Sequence, residues 1–449
     1  MSKSSVEKAP EFHFEKIDFN VVSPFLSKYK STNEKGKYLH WNQLKWRIPR
    51  ADAENIWFAI KLHRSTQRKP ISLKDEKEND FSYLITHSME ARLHQVVTVS
   101  GGSIGAIANN PATENIQQKF LISSLMMEEA ITSAQLEGAA TTREVAKKML
   151  EEEREPVDED ERMVLNNFFL LKHAAKKSKD DLTVDLMLDF HKIATHLTTE
   201  NNVVPGEFRQ NNDIYVEDTK GEIAHQPPCY KQMPQRLQKL CDFANTDHSS
   251  INANQFIAPV IKAIILHFMI GYEHPFRDGN GRTARALFYW FMLKNGYELF
   301  HYVSISKLLK DDPKGYGLSY MYTEKDQNDL TYFIDFQLDI ILAAFEELQQ
   351  YLEHKTDEFK QVLQLLENSK YNNDLNFIQK DIIKKGTKEP GRMFTVKEIS
   401  SAYDVTDNTA RKNLSKLTLL KLLLETKDGR TKIYLAPSDL MKRLKLNKV

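Results

Sequence analysis

Apolar residues recur at three- and four-residue intervals through most of the chain, and this spacing predicts a mainly α-helical protein. One long helical pattern covers about residues 117–153. The stretch from Phe256 to Tyr272 is almost wholly apolar but is shorter than the ~20 residues that a bilayer span needs. We therefore expect it to be a buried central helix and expect no membrane-spanning segment.

A short β-type stretch interrupts the helical pattern. Ile214, Tyr215 and Val216 follow a segment rich in turn residues, and Ile223 begins a second apolar pair that ends at Pro227. Two short strands bounded by turn residues are typical of a hairpin. The sequence thus predicts a small β-hairpin inserted between helices.

The character of the chain changes from about Thr387 onward. Two helical patterns flank the turn 404–407, and two strands separated by a Lys-Asp-Gly turn follow them. This order is typical of a winged helix-turn-helix. Residues 386–449 contain 14 Lys and Arg against 7 Asp and Glu, an excess of +7. Residues 390–437 are therefore a candidate surface for DNA or for a protein partner, and Arg411, Lys412, Lys416, Lys427, Arg430 and Lys432 are the candidate phosphate contacts.

Length and composition narrow the picture further. At about 150 residues per domain, 449 residues suggest three domains. We place an N-terminal helical and irregular domain at 1–115 and a catalytic core, which includes the 117–153 helix, at 116–355. The winged helix would occupy 356–449. Lys and Arg total 62, as do Asp and Glu, so bulk charge favours neither nucleic acid nor membranes. Two cysteines and the lack of an apolar signal segment favour a reducing, cytoplasmic location.

The candidate chemistry lies in the loop HPFRDGNGRTAR, residues 274–285. Gly279, Asn280 and Gly281 allow main-chain amides to turn inward and form an anion-binding nest. A helix that begins near Gly281 also directs its unpaired N–H groups and the positive end of its dipole at the loop. Arg282 and Arg285 lie in the first turn of that helix, where the dipole disfavours cations, so their presence favours a bound polyanion.

Three other polar residues of the loop add to this chemistry. Asp278 is an oxygen ligand suited to Mg²⁺, and His274 can accept a proton near neutral pH. Asn280 could be either a turn residue or an amide donor to phosphate. A base, a metal carboxylate, a nest and two arginines together indicate phosphoryl or nucleotidyl transfer.

This loop resembles the active-site motif of the Fic family, H-x-F-x-D/E-G-N-G-R-x-x-R, at every fixed position. The resemblance extends over about residues 117–350 and includes the hairpin. It implies an all-helical core with a hairpin flap, and transfer of AMP from ATP to a hydroxyl side chain of a target protein, with the chain itself among the candidates. His274 would be the base and Asp278 the Mg²⁺ ligand. Gly279, Asn280, Gly281, Arg282 and Arg285 would hold the phosphates, Phe276 would anchor the loop, and Ile214, Tyr215 and Val216 would dock the target.

The segment from Ser133 to Gly138 resembles the inhibitory motif of the same family, S/T-x-x-x-E-G/N. Ser133 and Glu137 are four residues apart and share one helix face. The resemblance implies that Glu137 pairs with Arg285 in the place of the ATP γ-phosphate and so inhibits transfer.

Two other functions stay open at this point. Glu137 could orient a water that removes AMP from a modified protein, or the chain could be a DNA-binding regulator whose core senses nucleotide. The complete loop with His274 argues against the last as the sole function. The target, the modified residue type and a homo-oligomeric state are also open.

Overall fold

The computed structural model describes residues 6–101, 125–217, 221–367, 371, 374–389, 391–428 and 431–445. Its helices are α1 Phe19–Leu26, α2 Trp41–Leu44, α3 Ala53–Ser65, α4 His87–Gly101, α5 125–136, α6 Arg143–Glu152, α7 Glu159–Lys176, α8 Val184–Ala194, α9 Met233–Asn245, α10 Pro259–Glu273, α11 Asn280–Lys294, α12 Ile305–Asp311, α13 Pro313–Lys325, α14 Thr331–Glu367, α15 Phe377–Lys388, α16 Val396–Tyr403, α17 Asp407–Leu419 and α18 Leu440–Lys445. Its strands are β1 Lys69–Lys74, β2 Asp80–Tyr83, β3 Val216–Glu217, β4 Ile223–His225, β5 Met393–Thr395, β6 Leu424–Asp428 and β7 Thr431–Leu435. The predicted mainly α-helical class is confirmed. Within these ranges, no helix is both long and apolar enough to span a membrane.

Helices α10 and α11 form the centre of the fold. Every residue of α10 from Val260 to Ile270 is buried, and so is every residue of α11 from Arg282 to Leu293. The prediction of a buried helix in the apolar run is confirmed. Since the loop between α10 and α11 joins two helices packed on all sides, both of its ends are fixed by the core.

The predicted helix over 117–153 is two helices in the described part, and residues 117–124 lie outside that part. Helix α5 ends at residue 136, and Gly138 follows with φ +104°. Thr142 then caps α6 by accepting a hydrogen bond from the Val145 N–H at 3.3 Å. A helix ends where a residue adopts positive φ, because that conformation lies outside the right-handed helical region. Glycine adopts it readily, whereas L-residues rarely do. The break leaves Glu137 in a turn rather than inside a helix.

The N-terminal segment contains a strand pair that the sequence analysis did not predict. Strands β1 and β2 form an antiparallel pair, and Ile71, Phe81 and Met89 belong to the same hydrophobic cluster as α10 and α11. Residues from about 69 to 101 therefore pack into the central core, although they lie within the predicted domain 1–115. The predicted boundaries at 115 and 355 stay predictions, and α14 continues through residue 355 to Glu367.

A buried polar network joins α3 to the end of α13 and the start of α14. Lys61 Nζ lies 2.7 Å from Asp326 Oδ1. Arg64 is 2% exposed and donates to the carbonyls of Ser31 at 3.1 Å and Leu39 at 2.9 Å. Buried charges of this kind are costly to leave unpaired, so this network fixes the N-terminal helices on the core.

Residues 371–444 contribute a separate hydrophobic cluster. The predicted helices on either side of the 404–407 turn are confirmed as α16 and α17, and β5, β7 and β6 form an antiparallel sheet in that order. Assignment to the winged-helix class stays an interpretation of this order. Arg411 and Lys412 are exposed on α17, whereas Lys416 donates to the Asp374 carbonyl. Lys432 pairs with Glu425 at 2.6 Å, and Arg430 and the side chain of Lys427 lie outside the described part.

Candidate active site

The main chain of the 274–285 loop leaves α10 and enters α11 through two left-handed residues. His274 has φ 45° and ψ 55°, and Gly279 has φ 78°. Histidine is one of the few non-glycine residues enriched in this region. A Cβ at Gly279 would also lie 2.8 Å from Thr195 Cγ2, so only glycine fits against the end of α8. Because Gly279 has no Cβ, the loop can lie close to Thr195. The first N–H groups of α11 then point toward the loop.

Asn280 and Phe276 hold the loop together. The Asn280 Oδ1 accepts the Phe276 N–H at 3.0 Å, and its Nδ2 donates to the Phe276 carbonyl at 2.9 Å. Phe276 is fully buried. Of the two roles that the sequence left open for Asn280, the side chain takes the turn-forming one in this conformation. Its predicted contact with phosphate stays untested.

His191, on α8, supports this loop and was not singled out from the sequence. Its ring stacks on Phe276 with centroids 3.7 Å apart and an interplanar angle of 2°. The Nδ1 accepts the Gly206 N–H at 3.0 Å, so Nε2 carries the proton and donates to the Asp278 carbonyl at 3.0 Å. Burial lowers the pKa of His191 to about 4, which keeps this neutral tautomer. Nothing in the helical pattern of α8 distinguishes His191 from an ordinary core residue.

Arg282 is 1% exposed, and its two Nη atoms are engaged at the end of the loop. Nη1 donates to the Ala194 carbonyl at 2.9 Å, and Nη2 pairs with the Asp278 carboxylate. Arg282 therefore ties α8 to the one loop carboxylate. The Asp278 side chain is 15% exposed, so it is still reachable from solvent.

Arg285 lies one turn further along α11 and contacts the segment that resembles the inhibitory motif. Its Nε donates to Ser133 Oγ at 3.0 Å, and its Nη2 contacts both the Ser133 carbonyl at 3.1 Å and Glu137 Oε1 at 2.9 Å. Burial opposes ionisation of Glu137, but the positive charges of Arg285 and Arg282 outweigh it and lower the pKa of the carboxyl. Glu137 is therefore an anion at neutral pH.

The Glu137 carboxylate lies over Gly281 at the start of α11. A Cβ at Gly281 would overlap Glu137 Oε1 and would lie 3.0 Å from Arg285 Nη1. Both groups thus lie directly over Gly281. Among the described residues, Nη1 of Arg285 is buried yet has no hydrogen-bond acceptor. Nε of Arg282 and Oγ1 of Thr283 are also buried without a hydrogen-bond partner. A buried, unsatisfied guanidinium N–H beside the N-terminus of a helix points to a further anion.

His274 is neutral in this environment. Burial is the largest cause that lowers its pKa to about 4, and the charges of His225 and Arg209 act in the same direction. The Gly271 carbonyl and Glu137 partly oppose this shift. His274 Nδ1 lies 3.4 Å from the Gly271 carbonyl oxygen, a long contact that favours a proton on Nδ1 and leaves the Nε2 lone pair free.

The predicted hairpin is present, with strand bounds that differ slightly from the prediction. Val216 pairs with His225, and Glu217 pairs with Ile223, whereas Ile214 and Tyr215 precede β3. His225 Nε2 lies 2.7 Å from the Tyr272 carbonyl, which places β4 beside the end of α10. In the described part β3 pairs only with β4, so its other edge offers main-chain groups to a partner.

Comparison with known proteins identifies the segment that carries this site. Residues 181–292 match the model of the Fic/DOC family. A segment of 126 residues is 31% identical to the protein adenylyltransferase Fic of Drosophila yakuba, and that match covers 28% of this chain and 22% of the relative. The Drosophila melanogaster protein of the same name is also 31% identical over 126 residues, with 23% of its length covered. This chain therefore contains a Fic/DOC domain, and it matches less than a quarter of the length of these relatives.

Solved structures similar to this one include a Fic family protein from Desulfovibrio desulfuricans G20, with a TM-score of 0.46 and 18% identity over 77% of this chain and 95% of that one. Another is Fic-1 (residues 134–508) from C. elegans, with a TM-score of 0.47 and 16% identity over 70% of this chain and 82% of that one.

Proposed function

We propose that this protein transfers AMP from ATP to a hydroxyl side chain of a target protein, with itself among the candidate targets. The observation that carries the proposal is the buried Arg285 Nη1, which lacks an acceptor and lies over Gly281 within a complete Fic loop. Phosphate oxygens would satisfy that donor together with the N–H groups at the start of α11. The similarity to protein adenylyltransferases supports the same reaction.

The chemical step is a displacement at the α-phosphorus of ATP. The target hydroxyl oxygen forms a bond to this phosphorus while the bond to the pyrophosphate oxygen breaks. The free Nε2 lone pair of His274 accepts the hydroxyl proton, so the products are an AMP ester and pyrophosphate. Arg282 and Arg285 hold the negative charge of the phosphates, and the outer edge of β3 aligns the target segment as an added strand.

Asp278 fits a role as the protein ligand of a magnesium ion. Its carboxylate belongs to the loop, is partly exposed and lies beside the start of α11. Among the described residues, no cluster of three or more His, Cys, Asp or Glu could hold a metal by itself. We therefore propose that Asp278, phosphate oxygens and waters together would coordinate the ion, which would neutralise charge on the triphosphate.

The position of the radioactive label tests the reaction. With Mg²⁺ and a cell lysate or the protein alone, we expect label from α-³²P-ATP on protein and none from γ-³²P-ATP. Transfer of the γ-label would indicate a kinase instead. Absence of both labels in the Glu137→Gly variant would overturn the proposal.

Hydrolytic removal of AMP is a second candidate, because Glu137 places a carboxylate over Gly281, beside the loop that carries His274. In that case Glu137 would orient a water, which removes AMP from a modified protein. Glu137→Gly would then lose AMP release, whereas under the first proposal it gains AMP transfer. Incubation of a pre-modified protein with each variant distinguishes the two.

The low pKa of His274 predicts how transfer depends on pH. A histidine with the ordinary pKa of about 6.5 would lose its base form below neutral pH. His274, with a pKa of about 4, keeps the neutral form as the pH falls and loses it only near that value. We expect the rate constant for transfer by Glu137→Gly, measured at saturating ATP and Mg²⁺, to show no histidine-like fall between pH 8 and 6. A fall centred near pH 6.5 would contradict this prediction.

A further inference from the structure

Arg209 lies outside the 274–285 loop and contacts both that loop and the hairpin. It follows α8, precedes β3 and is 2% exposed. Its Nε donates to the His274 carbonyl at 2.9 Å, and its Nη1 donates to the Asn211 carbonyl at 2.8 Å and to Asn212 Oδ1 at 3.0 Å. Its Nη2 donates to the Pro228 carbonyl. One guanidinium thus contacts the loop, the entry to the hairpin and the exit from it.

A main-chain contact strengthens the connection to the loop. The Arg209 N–H donates to the Pro275 carbonyl at 2.9 Å. The segment around Arg209 is therefore bonded to two consecutive carbonyls, those of His274 and Pro275. Displacement of Arg209 would move the peptide group of His274.

The acceptors explain why this position requires arginine. They are three main-chain carbonyls and one side-chain amide, arranged around a planar group that offers five N–H donors in fixed directions. A lysine keeps the charge but concentrates its donors on one atom, so it cannot reach three separate segments.

We infer that Arg209 is a positioning residue that holds the hairpin and His274 at a constant separation, so that a hydroxyl docked on β3 reaches the His274 ring. This inference rests on the proposed transfer reaction. Catalysis is sensitive to such a separation because a displacement of about 1 Å can lower a rate about a hundredfold. The hydrogen bonds of Arg209 go to the ends of the hairpin and to residues 274 and 275 rather than to Gly281, so we expect nucleotide binding to change little when Arg209 is replaced.

The test compares Arg209→Lys with Arg64→Lys, both in the Glu137→Gly background. Arg64 is a matched control because it is equally buried and also donates to main-chain carbonyls, but it lies on α3 and its carbonyl acceptors, Ser31 and Leu39, are outside the loop. Per folded molecule, we expect Arg209→Lys to lower the rate constant for self-transfer of α-³²P label about 10- to 100-fold. We expect its dissociation constant for ATP to change by less than about twofold, and Arg64→Lys to leave both quantities unchanged.

Several outcomes would overturn the inference. Full activity in Arg209→Lys would mean that charge alone suffices at this position. An equal loss in Arg64→Lys would mean that buried arginines act only through stability. A large loss of ATP affinity in Arg209→Lys would place the effect in the nest. If Arg209→Lys does not fold, Asn212→Ala removes one acceptor of the same network, and a rate equal to the parent would likewise contradict the inference.

Amide hydrogen exchange separates this inference from the proposed function. If Glu137→Gly transfers no label at all, the proposed function fails, whereas the coupling can still be measured. We expect Arg209→Lys to speed exchange both at residues 274–279 and at residues 211–217 and 223–228, and Arg64→Lys to speed neither. Faster exchange in only one of the two regions would show that Arg209 does not couple them.

Discussion

Replacement of Glu137 by glycine is expected to raise AMP transfer about a hundredfold, which corresponds to a coupling of ~3 kcal/mol. Glu137 Oε1 lies 2.9 Å from Arg285 Nη2, and the carboxylate lies over Gly281, where the amide nest would otherwise hold phosphate. A carboxylate and a phosphate cannot share that position. Removal of the side chain leaves Arg285 held by Ser133 and frees the nest for the terminal phosphate of ATP.

Label incorporation from α-³²P-ATP measures this effect, and the dissociation constant for ATP should fall in parallel. Glu144→Gly is the matched control, because Glu144 is an exposed glutamate in the first turn of α6. It makes the same chemical change close to the same turn, and we expect it to leave transfer at the parent level. Equal incorporation by Glu137→Gly and the parent would refute the inhibitory role.

Loss of the His274 imidazole is expected to lower transfer by ~10²- to 10⁴-fold in the Glu137→Gly background, the range typical of a general base. The physical reason is the free Nε2 of a neutral ring, whose pKa burial lowers to about 4. The rate constant at saturating ATP should fall, whereas ATP binding should persist, because the nest belongs to α11.

The choice of substitution matters here because His274 has φ 45°. Alanine is strained in the left-handed region, so His274→Ala could disturb the loop as well as remove the base. Asparagine tolerates this conformation and cannot act as the base, so His274→Asn should be as inactive as His274→Ala. His196→Ala, at an exposed histidine just after α8, is the control and should retain activity. Substantial transfer by His274→Asn would show that His274 is not the base.

The region around α10 and α11 was the most predictable part of this protein. An almost unbroken apolar run that is too short to span a bilayer favours a helix buried on all sides, and the glycines of the next loop permit the turn that follows it. The mainly α-helical class and the buried central helix were predicted correctly from periodicity, and the hairpin from two short strands bounded by turn residues. The strand pair β1–β2 was missed because its few apolar residues alternate over too short a stretch to be distinguished from a loop.

Contacts between distant segments limited the prediction of the site. The spacing of Ser133 and Glu137 predicted a shared helix face, whereas Glu137 lies in the turn that follows α5. The contact of Glu137 with Arg285 joins residues 148 positions apart. His191 and Arg209 have no local signature, because their roles come from acceptors that lie 87 and 65 positions away.

The amino-acid sequence by itself determined the helical class, the central apolar helix and the chemical groups of the 274–285 loop. These depend on local periodicity and on the conformations that glycine permits, both of which are properties of neighbouring residues. Only the tertiary structure decided that Asn280 holds the loop, that the Glu137 carboxylate lies over Gly281 and that one guanidinium joins the loop to the hairpin. Those features depend on which buried donors find which acceptors, and that pairing is settled when distant segments pack together.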